Sequence, residues 1–347
     1  MTSGKANKII TFRSIINFIL SVALAAVFLY VAFYNVNFSD VWFHVAKANL
    51  FWVIVFAILV LFGHFLRALR WKYILHSVKP DAKLKNLFGS LMVGYGVNSV
   101  TPKLGELTRA VLMGRWEGIS RSSMFGTVIL ERVIDIISLA FAILIAVLIS
   151  SISLYEQFPW LKTTLYTSAA IIISVLMLIY LAVRFQEKFY TVIIKLFGKI
   201  SGSVALSVAH IFNMLTEGFN SLKGTRNYFF TIVLTVLIMS VYAFTSYIGF
   251  LMLGITEVNF GMGWVIMSIS AIGVVIPTPG ATGSYHTLAK STLVLVYGFT
   301  EVIALAYAFL THIISYSIAI VGSIICFFIL NKQKTKPLSN NQTESEK

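Results

Sequence analysis

The chain has 347 residues, 58% of them hydrophobic and only 12% charged, against a charged fraction of about a quarter in ordinary soluble domains. This excludes a soluble globular protein and puts the chain in a lipid bilayer. A formal charge of +14 would suggest nucleic acid or acidic partners in a soluble chain, but in a membrane protein it is first a topology signal, and no nucleic-acid partner is expected.

Stretches with few or no charges cover residues 14–34, 50–66, 136–155, 163–183, 227–256 and 302–331. At about 1.5 Å per residue these match a hydrocarbon core of roughly 30 Å, so six full spans are expected. The first follows a basic segment, as a signal peptide would. It is too long for a signal's apolar core and runs into Asn35, Asn37 and Asp40 without a small-residue cleavage site, so it reads as an uncleaved span. With both termini cytoplasmic, every Lys and Arg falls inside except Lys47, Lys162, Lys290 and the intramembrane Arg132. The basic charge is then mostly an orientation signal.

Between the second and third of these stretches, residues 87–100 form a glycine-rich apolar run that reaches only about 21 Å as a helix. Pro102 stops it, and a polar segment over 104–116 leads back. The pattern recurs downstream. Residues 261–276, about 24 Å of helix, end at Pro277-Thr278-Pro279-Gly280, and 284–299 return. Basic flanks place the first hairpin on the cytoplasmic side, and the flanks of the second, Glu257 and Glu301, have no positive cluster near them, which places it on the other. The expected architecture is all-α, with six transmembrane helices and two oppositely oriented re-entrant hairpins in inverted repeats of about 14–150 and 160–330. Residues 1–331 form one integral membrane domain. Residues 184–226 read either as an interfacial amphipathic helix or as a connecting helix packed under the bundle. The tail 332–347 is polar and expected to be disordered.

Charge inside a bilayer costs about 2.5–3.5 kcal/mol per residue on insertion scales. Glu131, Arg132 and Asp135 are therefore the costliest residues, with Glu131 and Asp135 on one helical face. They read either as a polar site beside the first hairpin or as an ion-pair network fastening it. Glu106 and Arg109 follow the first break three residues apart. Backbone groups freed at a break must line a cavity or be buried in protein, and a phosphate could use them together with Arg109 or Lys103. Alternatively, Glu106 and Arg109 satisfy each other or the Glu131 cluster. Arg67, Arg70 and Trp71 read as an interfacial anchor or a lipid-recognition group. His64 and His312 read as hydrogen-bonded interior residues, whereas His286 and Lys290, four apart after the second break, could serve a ligand. The lone Cys326 allows no internal disulfide. No spacing suggests a metal site or a cofactor, and no nucleotide-binding glycine loop is present, so ATP-driven pumping by this chain alone is not expected.

Taken in order, Arg67-x-x-Arg70-Trp71, Gly94-x3-Asn98-x3-Pro102-x2-Gly105-Glu106-x2-Arg109, Glu131-Arg132-x-x-Asp135 and Pro277-Thr278-Pro279-Gly280 resemble the transmembrane, flippase-like region of lysylphosphatidylglycerol synthases and its stand-alone relatives. The resemblance implies a multi-pass protein of the inner (plasma) membrane that handles a polar lipid, without the synthases' soluble aminoacyl-transferase domain. One departure stands out. The usual second hairpin is similar to P-T-P-G-G-x-G-x-x-E, and this chain keeps Gly283 but carries Ala281 and His286. Losing that carboxylate weakens the case for a lysyl lipid and makes an anionic one at least equal to it.

The leading expectation is translocation of a polar, phosphate-bearing lipid between leaflets. Substrate contacts are expected from Arg67, Arg70, Asn98, Lys103, Glu106, Arg109, Glu131, Arg132, Asp135, Thr278, His286 and Lys290, with Pro102, Gly105, Pro277, Pro279, Gly280 and Gly283 shaping the breaks. The alternatives are an integral-membrane enzyme using Glu106, Glu131 or Asp135 as a general base, and an accessory subunit of a lipid-modifying complex. Expected partners are an anionic or aminoacylated membrane lipid, a second copy of the chain or a lipid-synthesising protein.

Overall fold

A computed structural model describes residues 12–150, 153–167, 169–170, 173–174, 177 and 224–332. The expected span at 163–183 and the segment 184–226 lie largely outside the described residues, as does the tail 332–347. Among the described residues the fold is entirely helical: α1 (Phe12–Phe33), α2 (Phe38–Ala46), α3 (Leu50–Leu75), α4 (Leu84–Val100), α5 (Leu104–Glu117), α6 (Arg121–Ile149) and α7 (Leu154–Gln157). A helical stretch over 159–167 precedes α8 (Thr225–Met252), α9 (Phe260–Val275), α10 (Ser284–Tyr297) and α11 (Glu301–Asn331). Five of these, α1, α3, α6, α8 and α11, are long and apolar enough to cross a membrane, so the chain is a multi-pass integral membrane protein.

Two of the long helices differ from the sequence expectation in the same way. The second span was expected to end at Leu66, yet α3 continues through Arg67 and Arg70 to Leu75. The span expected from 136 begins in α6 at Arg121 and carries Glu131, Arg132 and Asp135 within it. Helical backbone bonds are indifferent to a charged side chain, and here the charges meet one another across helices. Local chemistry sets the helix starts. Asn49 accepts from the N–H groups of Phe51 and Trp52, Ser120 caps α6 through Ser123 N–H, and Asn259 caps α9 through Met262 N–H.

The two short pairs, α4 with α5 and α9 with α10, fold back on themselves where the prolines stand. Thr101 is extended and Lys103 takes a left-handed conformation (φ 65°) before α5 begins. Their limbs cross at glycines. A Cβ at Gly105 would run into the carbonyl oxygen of Gly94, and one at Gly273 would meet the Ser284 carbonyl at 2.7 Å. Side chains from the opposite limb serve the orphaned backbone groups at the breaks. Asn98 Oδ1 accepts from Gly105 N–H at 2.7 Å, and Ser284 Oγ donates to the Gly273 carbonyl at 2.7 Å.

Helix neighbours repeat between the halves. The α3–α8 pair lies at the centre, α11 packs on α4, and α6 packs on α9. Each half also holds its own hairpin between its flanking long helices, α3 and α6 or α8 and α11. Apolar cores form around Trp71, Leu87, Met113 and Met124 in the first half, between α6 and α9, and between α3, α8 and α11.

Because the Gly94–Gly105 crossing leaves no room for a side chain, Gly105→Ala is expected to destabilise the protein by about 1–3 kcal/mol through overpacking. Thermal unfolding of the detergent-solubilised protein measures it, and an unchanged midpoint would contradict the crossing.

Candidate functional site

The intramembrane charges converge. Arg67 and Arg70 lie three apart on α3, so both guanidinium groups face α6, where Glu131 and Asp135 share a face. Arg67 Nη2 lies 2.6 Å from Glu131 Oε1 and 2.8 Å from Asp135 Oδ2, and Arg70 Nη2 lies 2.5 Å from Asp135 Oδ1. From α5, Arg109 Nη2 comes within 2.8 Å of Glu131 Oε2, while its guanidinium lies over the Trp71 ring at 4.7 Å. Arg132 closes the set, 2.8 Å from Glu131 and 3.0 Å from Asp135, with Glu106 at 3.9 Å. Arg70, Arg109 and Glu131 are buried. The network therefore ties α3 and the returning limb of the first hairpin to α6.

Beside this network opens a cavity of about 520 Å³. It lies between the two broken tips, bounded by Pro102 and Lys103 on one side and by Pro277, Thr278 and Gly280 on the other. Its polar residues include Arg67, Arg132, Asp135 and Glu106. Counting the second row, five cations (Arg67, Arg70, Lys103, Arg109 and Arg132) stand against three carboxylates (Glu106, Glu131 and Asp135), which leaves positive charge in excess. Several guanidinium nitrogens are unsatisfied, including the buried Nε atoms of Arg67 and Arg132. Unpaired buried donors each cost roughly 1–3 kcal/mol, so the carboxylates do not fully satisfy the arginines. Among the described residues no three His, Cys, Asp or Glu side chains converge as a metal site requires.

The candidate residues divide into three groups. Arg67, Asn98, Lys103, Glu106, Arg132, Asp135 and Thr278 line the cavity. Arg70, Arg109 and Glu131 stand behind it as the network's anchors. His286 and Lys290 are elsewhere. His286 Nδ1 accepts from Gly283 N–H at 3.2 Å, and Lys290 donates to the Ala32 carbonyl at 2.9 Å and pairs with Glu301 at 2.8 Å. His286 thus caps the start of its own helix, and Lys290 fastens α10 to α1 and to the start of α11. Two lining residues also hold the breaks: Asn98 Nδ2 donates to Glu106 at 3.2 Å, and Thr278 Oγ1 shares a hydrogen bond with Ser284 Oγ at 3.0 Å.

Three sequence readings are corrected. Arg70 and Trp71 are fully buried, with Trp71 Nε1 donating to Thr127 Oγ1 at 3.0 Å, so they are not an interfacial anchor. His64 and His312, read as hydrogen-bonded interior residues, line the cavity, whereas His286, the favoured histidine, is outside its lining, with its ring 4.6 Å from that of His312. Tyr95, Tyr285 and Tyr316 also line it and were missed. Spacing carried part of that signal. Tyr95 stands three before Asn98, His64 three before Arg67, and His312 four before Tyr316, so each shares a helical face with its neighbour.

Residues 18–322 match the family described as the lysylphosphatidylglycerol synthase TM region. Among curated proteins, a UPF0104 membrane protein of Methanothermobacter thermautotrophicus is 32% identical over 35% of this chain and 35% of its own length. A UPF0104 membrane protein of Methanocaldococcus jannaschii is 24% identical over 82% of this chain and 86% of its own. The glycosyltransferase AglD of Haloferax volcanii is 24% identical over 78% of this chain, which spans 47% of that protein.

Removing one partner of a buried ion pair strands the other charges. Glu131→Ala should therefore cost about 3–5 kcal/mol, while Lys103→Ala, at the exposed tip, should change stability by less than about 0.5 kcal/mol. Chemical unfolding in detergent distinguishes them, and equal effects would contradict the network.

Proposed function

Because this chain belongs to the lysylphosphatidylglycerol synthase transmembrane-region family, we propose that it moves a lipid with a phosphate-bearing headgroup between membrane leaflets. The observation that carries this reading is the excess of positive charge beside a cavity between two broken helices, with Arg67, Lys103 and Arg132 in its lining. Guanidinium N–H groups recognise phosphate strongly and directionally. The cavity's apolar lining includes the exposed Ile136, Val274 and Val275. A headgroup held by arginines can leave its acyl chains in lipid past these residues.

In this reading the two short pairs are re-entrant hairpins, since neither α4 nor α9 reaches across about 30 Å of hydrocarbon. The matched neighbour pattern of α3–α6 and α8–α11 supports inverted repeats whose tips meet near the midplane. The protein sits in the plasma membrane with cytoplasmic termini. Of the two carboxylates that line the cavity, Asp135 is paired with Arg67 and Arg132 and Glu106 accepts from Asn98, while Glu131 behind them is surrounded by arginines, which favours transport over catalysis.

Leaflet exchange of labelled phospholipids in proteoliposomes tests the function. The wild type should exceed empty liposomes, and Arg67→Ala/Arg132→Ala should lose at least about tenfold of that rate, the equivalent of roughly 1.4 kcal/mol of binding. Exchange no faster than in empty liposomes would overturn the reading. Topology has its own check in a Cys326→Ser background. Single cysteines at Asp81 and Arg115 should react with an impermeant maleimide from one face, and those at Glu257 and Thr300 from the other. Labelling of Asp81 and Arg115 from different faces would overturn the first re-entrant hairpin, and of Glu257 and Thr300 the second.

A further inference from the structure

The arginines account for only part of the cavity. The lining from α4, α10 and α11, with His64 of α3, is neutral, aromatic and rich in hydrogen-bonding groups. His64 and Tyr95 lie with ring centroids 4.5 Å apart, their planes tilted by 40°. Tyr285, His312 and Tyr316 form a second row, with His312 5.6 Å from each tyrosine. Thr311 and Ser315 add hydroxyls from the same face of α11. Tyr285 Oη shares a hydrogen bond with Thr311 Oγ1 at 2.9 Å, and Tyr316 Oη donates to the Ser99 carbonyl at 3.0 Å, which fixes both rings. His64 Nδ1 is buried without a partner.

Resting on the phosphate-lipid reading above, we propose that the headgroup beyond its phosphate is an uncharged, hydroxyl-bearing group, a sugar or a polyol. Three features of this lining select it. Neutral imidazole, phenol and Ser/Thr hydroxyl groups offer donors and acceptors together, which is what a hydroxyl needs and what an ammonium, a donor only, cannot fully use. Ring faces fixed in two rows present flat apolar surface to the carbon skeleton of a sugar or polyol, in the usual manner of pockets in which aromatic walls give area and a few polar atoms give orientation. A cationic headgroup would need an unengaged carboxylate. Asp135 is held by Arg67 and Arg132 at 2.8 and 3.0 Å, and Glu106 is held by Asn98 with Arg132 nearby. It would also meet the excess positive charge of the cluster. Tyr95 already has the Arg67 guanidinium over its ring at 5.9 Å, which disfavours use of that ring as a cage for a quaternary ammonium.

Native mass spectrometry of the full chain, titrated with lipids of matched chains, tests the proposal. One pair is phosphatidic acid against phosphatidylglycerol, and the other is a polyprenyl phosphate against its hexosyl ester. Lysyl-phosphatidylglycerol, net cationic, and phosphatidylcholine, a zwitterion, serve as probes whose headgroups carry an ammonium. In at least one pair the hydroxylated form should bind at least about tenfold tighter than its bare phosphate, because a site built to pair hydroxyls penalises their loss. The pair that shows the gain identifies polyol or sugar. Both ammonium-bearing lipids should bind more weakly than phosphatidylglycerol.

His64→Leu/His312→Leu should erase the preference while changing phosphatidic acid affinity by less than about twofold, whereas Arg132→Ala should weaken all phosphate lipids alike. Phosphatidic acid binding thus doubles as the check that the variant is folded, and Tyr95→Phe, which removes one hydroxyl and keeps the ring, should reduce the preference partially. Bare phosphates binding as well as both hydroxylated forms, or an ammonium-bearing lipid binding tightest, would overturn this proposal and leave the transport reading standing. Failure of every phosphate lipid to bind would overturn the transport reading, and this one with it.

Discussion

Ion pairing between α3, α5 and α6 is the constraint on which the rest of the molecule depends. A lone arginine or carboxylate at membrane depth is costly, and this chain places four arginines and two carboxylates together so that each charge is met within about 3 Å by an opposite one. Geometry follows from that demand. Arg67 and Arg70 fix the rotation of α3 against α6, and Arg109 fixes the returning limb of the first hairpin through Glu131. Only with those three elements held does the broken tip at Pro102 come to rest beside the cavity. The charges therefore serve assembly first, and the excess of arginine over carboxylate is what remains for a ligand.

Breaking a helix inside a membrane protein creates a second problem, which both hairpins solve in the same way. Backbone groups freed at a break have no water to turn to. Here a side chain from the facing limb supplies the partner, Asn98 for a donor and Ser284 for an acceptor. Glycines let the limbs approach closely enough for those bonds to form. Residues expected to bind substrate are thus partly committed to holding the cavity open. Asn98 and Thr278 line it while closing the breaks, His286 caps the start of α10, and Lys290 secures the second hairpin from behind.

The cavity that results has two chemistries. One is cationic and under-satisfied, and the other is neutral, ringed by tyrosine and histidine. In the family pattern that the sequence resembles, a glutamate stands where this chain has His286, yet His286 lies outside the cavity. What distinguishes this site is therefore less that single exchange than the absence of any unengaged carboxylate among the cavity residues, together with the aromatic rows contributed by α4, α10 and α11.

Much of this was legible in the sequence. Apolar length and low charge made a multi-pass helical protein unavoidable, because only helices of such length satisfy their own backbone in lipid. Pro102 and Pro277 marked the two breaks to within a few residues, since proline stops a helix by local sterics alone. The Arg67–Arg70 and Glu131–Asp135 spacings showed which charges share a face. Tertiary structure decided what spacing cannot carry. Helices run through charges that cut the hydropathy pattern, because those charges find partners on other helices. Trp71 and Arg70 are buried rather than interfacial, since depth depends on neighbours. Histidine roles were exchanged, His64 and His312 facing the cavity and His286 turned from it, because the direction of a side chain is set by how helices pack.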